Sequence, residues 1–260
     1  MKFSEYDPGE FYDELYEGKG QPRPGSTLLL RKFASLPEGE LKKRQEAAER
    51  VILNMGMTFG IHGSDDGHEQ IFPFDIVPRV VVASDWDRIE SGLQQRMRAL
   101  NLFIDDVYHN QKILKNGVIP SELIYTGKGF LNPCMGLNPP RGIWCHVAGI
   151  DLVRISDGQY YVLEDNTRCP SGVAYVLEAR QVMKRTFPEL FEAYRVRPVD
   201  GYPSQLLETL RSLSDLPDPT VVILTPGIFN SAYYEHSLLA HKMGVELVEA
   251  NDLAVVDGSV

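Results

Sequence analysis

Residues 149–180 read GIDLVRISDGQYYVLEDNTRCPSGVAYVLEAR, and this stretch decides the fold. Ile150 to Ile155 and Tyr160 to Asp165 are two runs of β-forming residues around Ser156-Asp157-Gly158-Gln159. Asp-Gly between such runs predicts a β-hairpin, because both central residues of a type I′ turn need positive φ. With Asp157 and Gly158 at the centre, Ile155 faces Tyr160, Asp151 faces Glu164, and Asn166 faces Gly149, which leaves room for it. The two-residue period of a strand puts Asp151, Glu164 and Asn166 on one face.

Two like charges directly opposed on a sheet destabilise it. A divalent cation between them reverses the sign. Two carboxylates and an amide carbonyl form an oxygen-only set suited to a hard cation such as Mg²⁺ held on substrate phosphates. The bland alternative is two solvated acids, each with water or an Arg. The following Asn166-Thr167-Arg168-Cys169-Pro170-Ser171-Gly172 leaves the strand for a predicted helix over Val173 to Arg185. Its backbone N–H groups and guanidinium suit an anion. A cation site beside an anion site points to a metal-bound phosphate.

The chain has 260 residues, enough for two lobes, with 43% hydrophobic and 24% charged residues. A formal net charge of −10 argues against non-specific nucleic-acid binding, which needs a basic footprint, but leaves ATP open. Cys134, Cys145 and Cys169 lack metal-ligand spacing and read as reduced thiols of a cytoplasmic protein. No apolar run is long enough for a membrane span, and the acidic N-terminus does not read as a signal peptide.

Tyr6, Phe11, Tyr12 and Tyr16 fall near helical spacing and predict a short docking helix within an N-terminal segment, residues 1–35. Residues 36–215 then form a helical region and a metal-binding and substrate lobe. Leu36 to Met55 reads as a helix with Pro37 in its first turn and an apolar stripe of Leu41, Ala48, Val51 and Ile52. His62, His68 and Glu69 can be written as metal ligands, but the alternation around them is irregular. FPFDIVPR, residues 72–79, is extended because two prolines forbid a helix, and Val80 to Val82 reads as a short strand. Ser84 to Lys115 is the longest helical pattern, with Ser84 and Asp87 near a capping box and a core stripe through Ile89, Leu93, Met97, Leu100, Ile104 and Val107. Ser121 to Arg141 is loop-rich. Phe187 to Pro203 reads as irregular, and Ser204 to Ser212 as a short helix. Residues 216–260 carry an incomplete open-sheet unit: strand Val221 to Leu224, helix Ser231 to Met243, strand Val245 to Val248. Ligands in such sheets bind past the C-terminal strand ends, which nominates Thr225, Gly227, Asn230 and Ser231. Leu253 to Val256 followed by Asp257-Gly258 resembles a hairpin cut at its turn, which predicts a chain truncated at its C-terminus.

Three segments carry a resemblance to a known family: GIDLVRISDGQYYVLEDNTRCPSGVAYVLEAR, FPFDIVPR, and LTPGIFNSAYYEHSLLAHKMGVELVEANDL over residues 224–253. They are similar to the circularly permuted ATP-grasp proteins, some of which carry the provisional label glutathionylspermidine synthase. The resemblance implies an α/β fold with α+β elements, ATP-grasp-like in permuted order, with the metal-binding lobe ahead of the open-sheet lobe. Related amide ligases hold two Mg²⁺ on ATP with an Asp…Glu-x-Asn set, which matches Asp151, Glu164 and Asn166. The loop after the Asn, here Arg168 to Ser171, is similar to one that meets the acceptor, which makes Ser171 and Gly172 candidate substrate contacts. The family is longer than this chain, and its later part is expected to supply the lysines that hold the nucleotide phosphates.

The implied activity joins a small-molecule or peptide carboxylate to an amine, with ATP and Mg²⁺, through an acyl phosphate. Arg168 is the candidate for stabilising the transferring phosphoryl group. Arg154 is a second candidate, although alternation puts it on the opposite face of the hairpin from Asp151. Two other activities share these residues: a metal-dependent phosphohydrolase, and a non-catalytic nucleotide- or peptide-binding module.

Overall fold

The computed structural model describes residues 5–60, 69–156 and 158–257. In chain order its elements are β1 (Tyr16–Gly18), β2 (Gln21–Pro22), α1 (Thr27–Ala34), α2 (Glu40–Asn54), β3 (Thr58–Gly60), β4 (Glu69–Ile71), α3 (Ala83–Tyr108), α4 (Lys112–Lys115) and α5 (Ser121–Tyr125). There follow β5 (Gly149–Ser156), β6 (Gln159–Asn166), α6 (Val173–Thr186), α7 (Pro188–Tyr194), α8 (Tyr202–Arg211), β7 (Val222–Leu224), α9 (Tyr233–Met243) and β8 (Glu246–Val248). The mixture of helices and small two-stranded sheets is the α+β content expected. The metal reading of His62, His68 and the Glu69 side chain lies outside the described residues, as do Asp157 and Gly258.

The chain divides into two compact units, one formed by residues 1–81 with 171–260 and the other by residues 82–170. The division does not fall at 35/36 or 215/216. The reason is packing: α1 and α7 share one core, so the N-terminal segment belongs to the same body as residues far along the chain. Leu29 and Phe33 of α1, Ala48 and Ile52 of α2, Met57, Ile76, Val182 of α6, Phe187 just before α7, and Leu190 of α7 form that core. Tyr194 ties its ends together, donating its hydroxyl to the Gly25 carbonyl and accepting the Leu29 N–H. Gln45 holds the extended 72–79 segment in place, donating to the Phe74 carbonyl and accepting the Ile76 N–H. β7 and β8 are parallel and joined through α9, which is the β-α-β unit read from the sequence.

Several sequence expectations are corrected here. No helix forms over Tyr6 to Tyr16; Asp13 Oδ1 accepts the Leu15 and Tyr16 N–H groups, a local turn that competes with a helix. Tyr16 is buried in β1, whereas Phe11 is exposed. α2 starts at Glu40, not Leu36, because Gly39 adopts a left-handed φ of 79°. The Ser84 capping box is not formed at the start of α3. The long helix breaks after Tyr108: Gln111 is left-handed, and Asp106 accepts the N–H groups of Lys112 and Ile113, starting α4 separately. Val80 to Val82 is not a strand. Phe187 to Pro203 contains a helix, α7, with Pro188 at its first turn and Leu190 in the core.

In the second unit, α3 is the support for the β5–β6 hairpin. Asn101 fixes the approach to β5: its carbonyl oxygen accepts the N–H groups of Trp144 and Cys145, and its amide donates to the Met97 and Cys145 carbonyls. Tyr108 stacks between Trp144 and Phe130, with centroids 4.8 and 5.4 Å away.

Ile52 is fully buried in the first unit's core. Ile52→Ala is expected to lower stability by about 2–5 kcal/mol, since the cavity adds to the lost transfer energy. Equilibrium urea unfolding measures it.

Candidate metal and substrate site

β5 and β6 pair antiparallel, with Gly149 opposite Asn166, Ile150 opposite Asp165, and Asp151 opposite Glu164. These are the pairs that the turn predicts. Between them and the turn the register slips by one: Leu152 faces Val162, Val153 faces Tyr161, and Arg154 faces Tyr160, before Ser156 meets Gln159. Ile155 is the extra residue on β5 and Leu163 the extra residue on β6, and the two irregularities cancel. The expected pairing of Ile155 with Tyr160 is therefore not made.

The irregularity at Leu163 sets the geometry. Along β6, Tyr160 and Val162 point inward and Tyr161 outward. Strict alternation would then turn Glu164 inward. With Leu163 and Glu164 both exposed, the phase flips, and Glu164 and Asn166 join Asp151 on the outer face while Asp165 turns inward. Asn166 donates to Glu164 Oε1 at 3.1 Å. Gly149 gives room to Pro170 more than to Asn166: a Cβ there would lie 3.0 Å from Pro170 Cβ and an ordinary 3.7 Å from Asn166 Cβ. Asp151 and Glu164 are exposed and opposed, and neither has a cationic partner among the described residues. No three His, Cys, Asp or Glu side chains converge among the described residues, so any metal here rests on two carboxylates and the Asn166 amide. Arg168 is exposed and makes no ion pair among the described residues.

The inner face holds the hairpin on α3. Arg96 donates twice to Asp165, at 2.6 and 2.7 Å. Near the turn, Asp85 is buried and accepts from Arg154 at 3.1 Å, with Arg88 and the Tyr160 hydroxyl farther off. Arg154 thus points away from Asp151 and spends its guanidinium on Asp85. Neither Arg96 nor Asp85 belongs to a motif that the sequence displays.

In the first unit, Ser171 is exposed, while the Gly172 N–H already has an anion. Glu235 of α9, buried, accepts the Gly172 N–H through both oxygens at 2.7 and 2.8 Å and the Ala174 N–H at 3.1 Å. Of the loop donors that the sequence assigned to an external anion, the Gly172 N–H is filled by the chain's own carboxylate, so Gly172 does not offer it to a substrate in this state. Glu235 also raises the Tyr202 pKa, after burial as the larger cause. Thr225, also buried, is hydrogen bonded to His236 Nδ1 at 3.0 Å and accepts the Gly227 N–H. Asn230 turns back to accept the Ala232 N–H, and Ser231 is exposed. The side chains of Thr225 and Asn230 thus shape their own loop.

With this geometry in view, the comparisons with known proteins can be read. The model for circularly permuted ATP-grasp type 2 matches residues 78–260. This chain belongs to that family. The family match includes the hairpin, the loop and the β-α-β unit. The chain is 51% identical over 260 residues to the uncharacterized protein sll0335 of Synechocystis sp., covering 99% of this chain and 54% of that protein. It is 47% identical to the uncharacterized protein Rv2411c of Mycobacterium tuberculosis, over 96% of this chain and 45% of that one. It is 39% identical to a Frankia casuarinae protein provisionally named glutamate–cysteine ligase 2-2, over 96% of this chain but 29% of that protein. The chain thus spans about half the length of the first two relatives and under a third of the last. Among the described residues no helix is long and apolar enough to cross a membrane.

Two tests follow. Arg96 holds the Asp165 carboxyl below the usual carboxylate range. A carboxyl with a depressed folded pKa contributes stability above its unfolded pKa of about 4 and loses it as pH falls through the folded value. Asp165→Asn is therefore less stable than the parent at pH 7, and the gap closes as pH drops below about 4, measured by urea unfolding at each pH. Glu235→Ala strands buried N–H groups at the start of α6 and is expected to cost about 1–3 kcal/mol, with Glu235→Gln recovering part of it. Thermal and urea unfolding distinguish the two variants.

Proposed function

We propose that this chain carries the metal-binding part of an ATP- and Mg²⁺-dependent ligase that joins a carboxylate to an amine. The observation that carries the proposal is the directly opposed pair Asp151 and Glu164, without a cationic partner among the described residues, beside Asn166 on the outer face of the hairpin. Such a pair is unfavourable by itself and becomes favourable around a hard cation. Family membership supports the ATP-dependent class. The provisional glutamate–cysteine ligase name of the Frankia relatives, 39% and 38% identical, supports a carboxylate and an amine as reactants.

Asp151 and Glu164 would hold the metal, with Asn166 as a neutral oxygen ligand. A bound Mg²⁺ would offset charge on the nucleotide phosphates. Amide formation from a carboxylate is uphill, so the γ-phosphoryl group passes to the substrate carboxylate, and the amine then displaces phosphate from the acyl carbon. The chain's residues position and neutralise more than they react. The exposed Arg168, two residues beyond Asn166 and without an ion-pair partner among the described residues, suits the transferring phosphoryl group. Arg154 is given a different part, because it faces inward and is held by Asp85: it fixes the hairpin tip. Ser171, Asn230 and Ser231 remain candidates for substrate contact, through exposed hydroxyls and the loop that Asn230 shapes.

Glu164→Gln tests this reading. It keeps size and hydrogen bonding but removes one charge. Titration of Mg²⁺-ADP into the protein is expected to show saturable binding that weakens at least tenfold in the variant. ADP release with an acid and an amine is expected to fall on the order of a thousandfold. Unchanged affinity in a folded Glu164→Gln protein would move the metal elsewhere.

A further inference from the structure

The parallel strands β7 and β8 end side by side, just before Thr225 and Glu249, at the edge where open sheets take ligands. Of the residues nominated there, Thr225 is buried and Asn230 turns into its own loop. The half-buried side chain that this edge turns toward solvent is His236, near the start of α9.

The hydrogen bonds of Thr225 fix the state of that imidazole. Thr225 is 2% exposed, so its hydroxyl proton needs an acceptor inside the protein. The Gly227 N–H already donates to the hydroxyl oxygen, at 3.3 Å. His236 Nδ1, 3.0 Å away, is the one acceptor that the described residues give the hydroxyl. Nδ1 therefore carries the lone pair, and the proton of the neutral ring sits on Nε2. With Nδ1–H aimed at Thr225 instead, the hydroxyl would receive two N–H groups and leave its own proton stranded.

Nε2 reaches solvent and has no partner among the described residues. A histidine that serves only the core spends both nitrogens inside; here a buried hydroxyl holds one nitrogen and aims an N–H outward. The same loop adds the N–H groups of Ile228, Phe229 and Ser231 and the exposed Ser231 hydroxyl, which have no partner among the described residues either. The nearby carboxylate, Glu249, lies against Gly227 and accepts the Asp252 N–H. Donors left without acceptors suit an oxygen ligand.

We infer that His236 is a substrate-binding residue whose Nε2–H donates to a carboxylate oxygen, and that Thr225 is the positioning residue that holds it in this tautomer. The choice of a carboxylate rests on the ligase reading, in which one reactant is an acid. An N–H donating to an ionised oxygen makes the stronger, charge-assisted bond.

Long-range ¹H–¹⁵N NMR of the imidazoles tests this at pH about 8, where an ordinary imidazole is neutral. The His236 signals are identified by their absence from His236→Gln. The Nε2–H tautomer is expected, with Nδ1 a hydrogen-bonded lone pair that becomes free in Thr225→Val and stays bonded in Thr225→Ser. Sodium acetate is the carboxylate probe and methylammonium chloride its control. Acetate is expected to shift the Nε2 signal saturably, and methylammonium to leave it in place. Acetate affinity in the variants is followed through the Ser231 amide, and circular dichroism shows that each is folded. His236→Phe is expected to weaken acetate at least tenfold, and His236→Gln, which keeps an N–H donor, to retain most of the affinity. Acetate binding at His236 requires neither metal nor nucleotide, so Mg²⁺-ADP titration of Glu164→Gln reads the ligase proposal separately. An Nδ1–H tautomer in the parent protein, no saturable response to acetate, an equal response to methylammonium, or full acetate affinity in folded His236→Phe would each overturn the assignment.

Discussion

The anchoring of one hairpin face on α3 is the constraint from which the candidate site follows. A two-stranded hairpin is marginal by itself and gains its orientation from what it packs on. Arg96 to Asp165 near the strand ends and Asp85 to Arg154 near the turn are the two polar anchors, with Ile89 between them along α3. Because Asp165 is committed inward, its neighbours Glu164 and Asn166 face outward. The extra residue Leu163 makes this compatible with Val162 and Tyr160 also facing inward. A bulge at this place re-aims side chains, and here it brings both ligand candidates of β6 to the face of Asp151.

The loop beyond the hairpin has a different logic. An unpaired helix start is an attractive place for an anion. In this chain the start of α6 is filled by Glu235, a residue more than sixty positions later in the sequence. Its charge is buried, and its hydrogen bonds to Gly172 and Ala174 compensate for that burial. Lys242 of α9 and Glu178 of α6 add an ion pair between the same two helices at 2.8 Å. Burial, followed by the charge of Glu178, pushes the neighbouring Tyr234 hydroxyl up to about 12. α6 and α9 are thus joined by polar contacts as well as by packing. In the loop that precedes this helix start, Arg168, Cys169 and Ser171 are exposed.

The inner and outer faces give the hairpin two chemically distinct sides. The outer side carries Asp151 and Glu164, which have no cationic partner among the described residues. The inner side sets Ile89 and Val162 between the Arg96–Asp165 and Arg154–Asp85 pairs. The alternation of a strand keeps these environments apart within one pair of strands.

The local pattern of the sequence settled the hairpin, the pairing of Asp151 with Glu164, the extended 72–79 segment, and the β-α-β order of residues 222–248. Each depends on neighbours in the chain: an Asp-Gly turn sets register, two prolines exclude a helix, and apolar period separates strand from helix. The tertiary structure alone decided that Leu163 and Ile155 offset one another, that Arg154 serves Asp85, and that Glu235 fills the start of α6. It also decided that residues 1–81 and 171–260 share one body. These depend on side chains far apart in sequence, such as Asp85 with Arg154 and Gly172 with Glu235, whose meeting no local spacing encodes. A buried carboxylate finds its donors only after the core has brought the helices together.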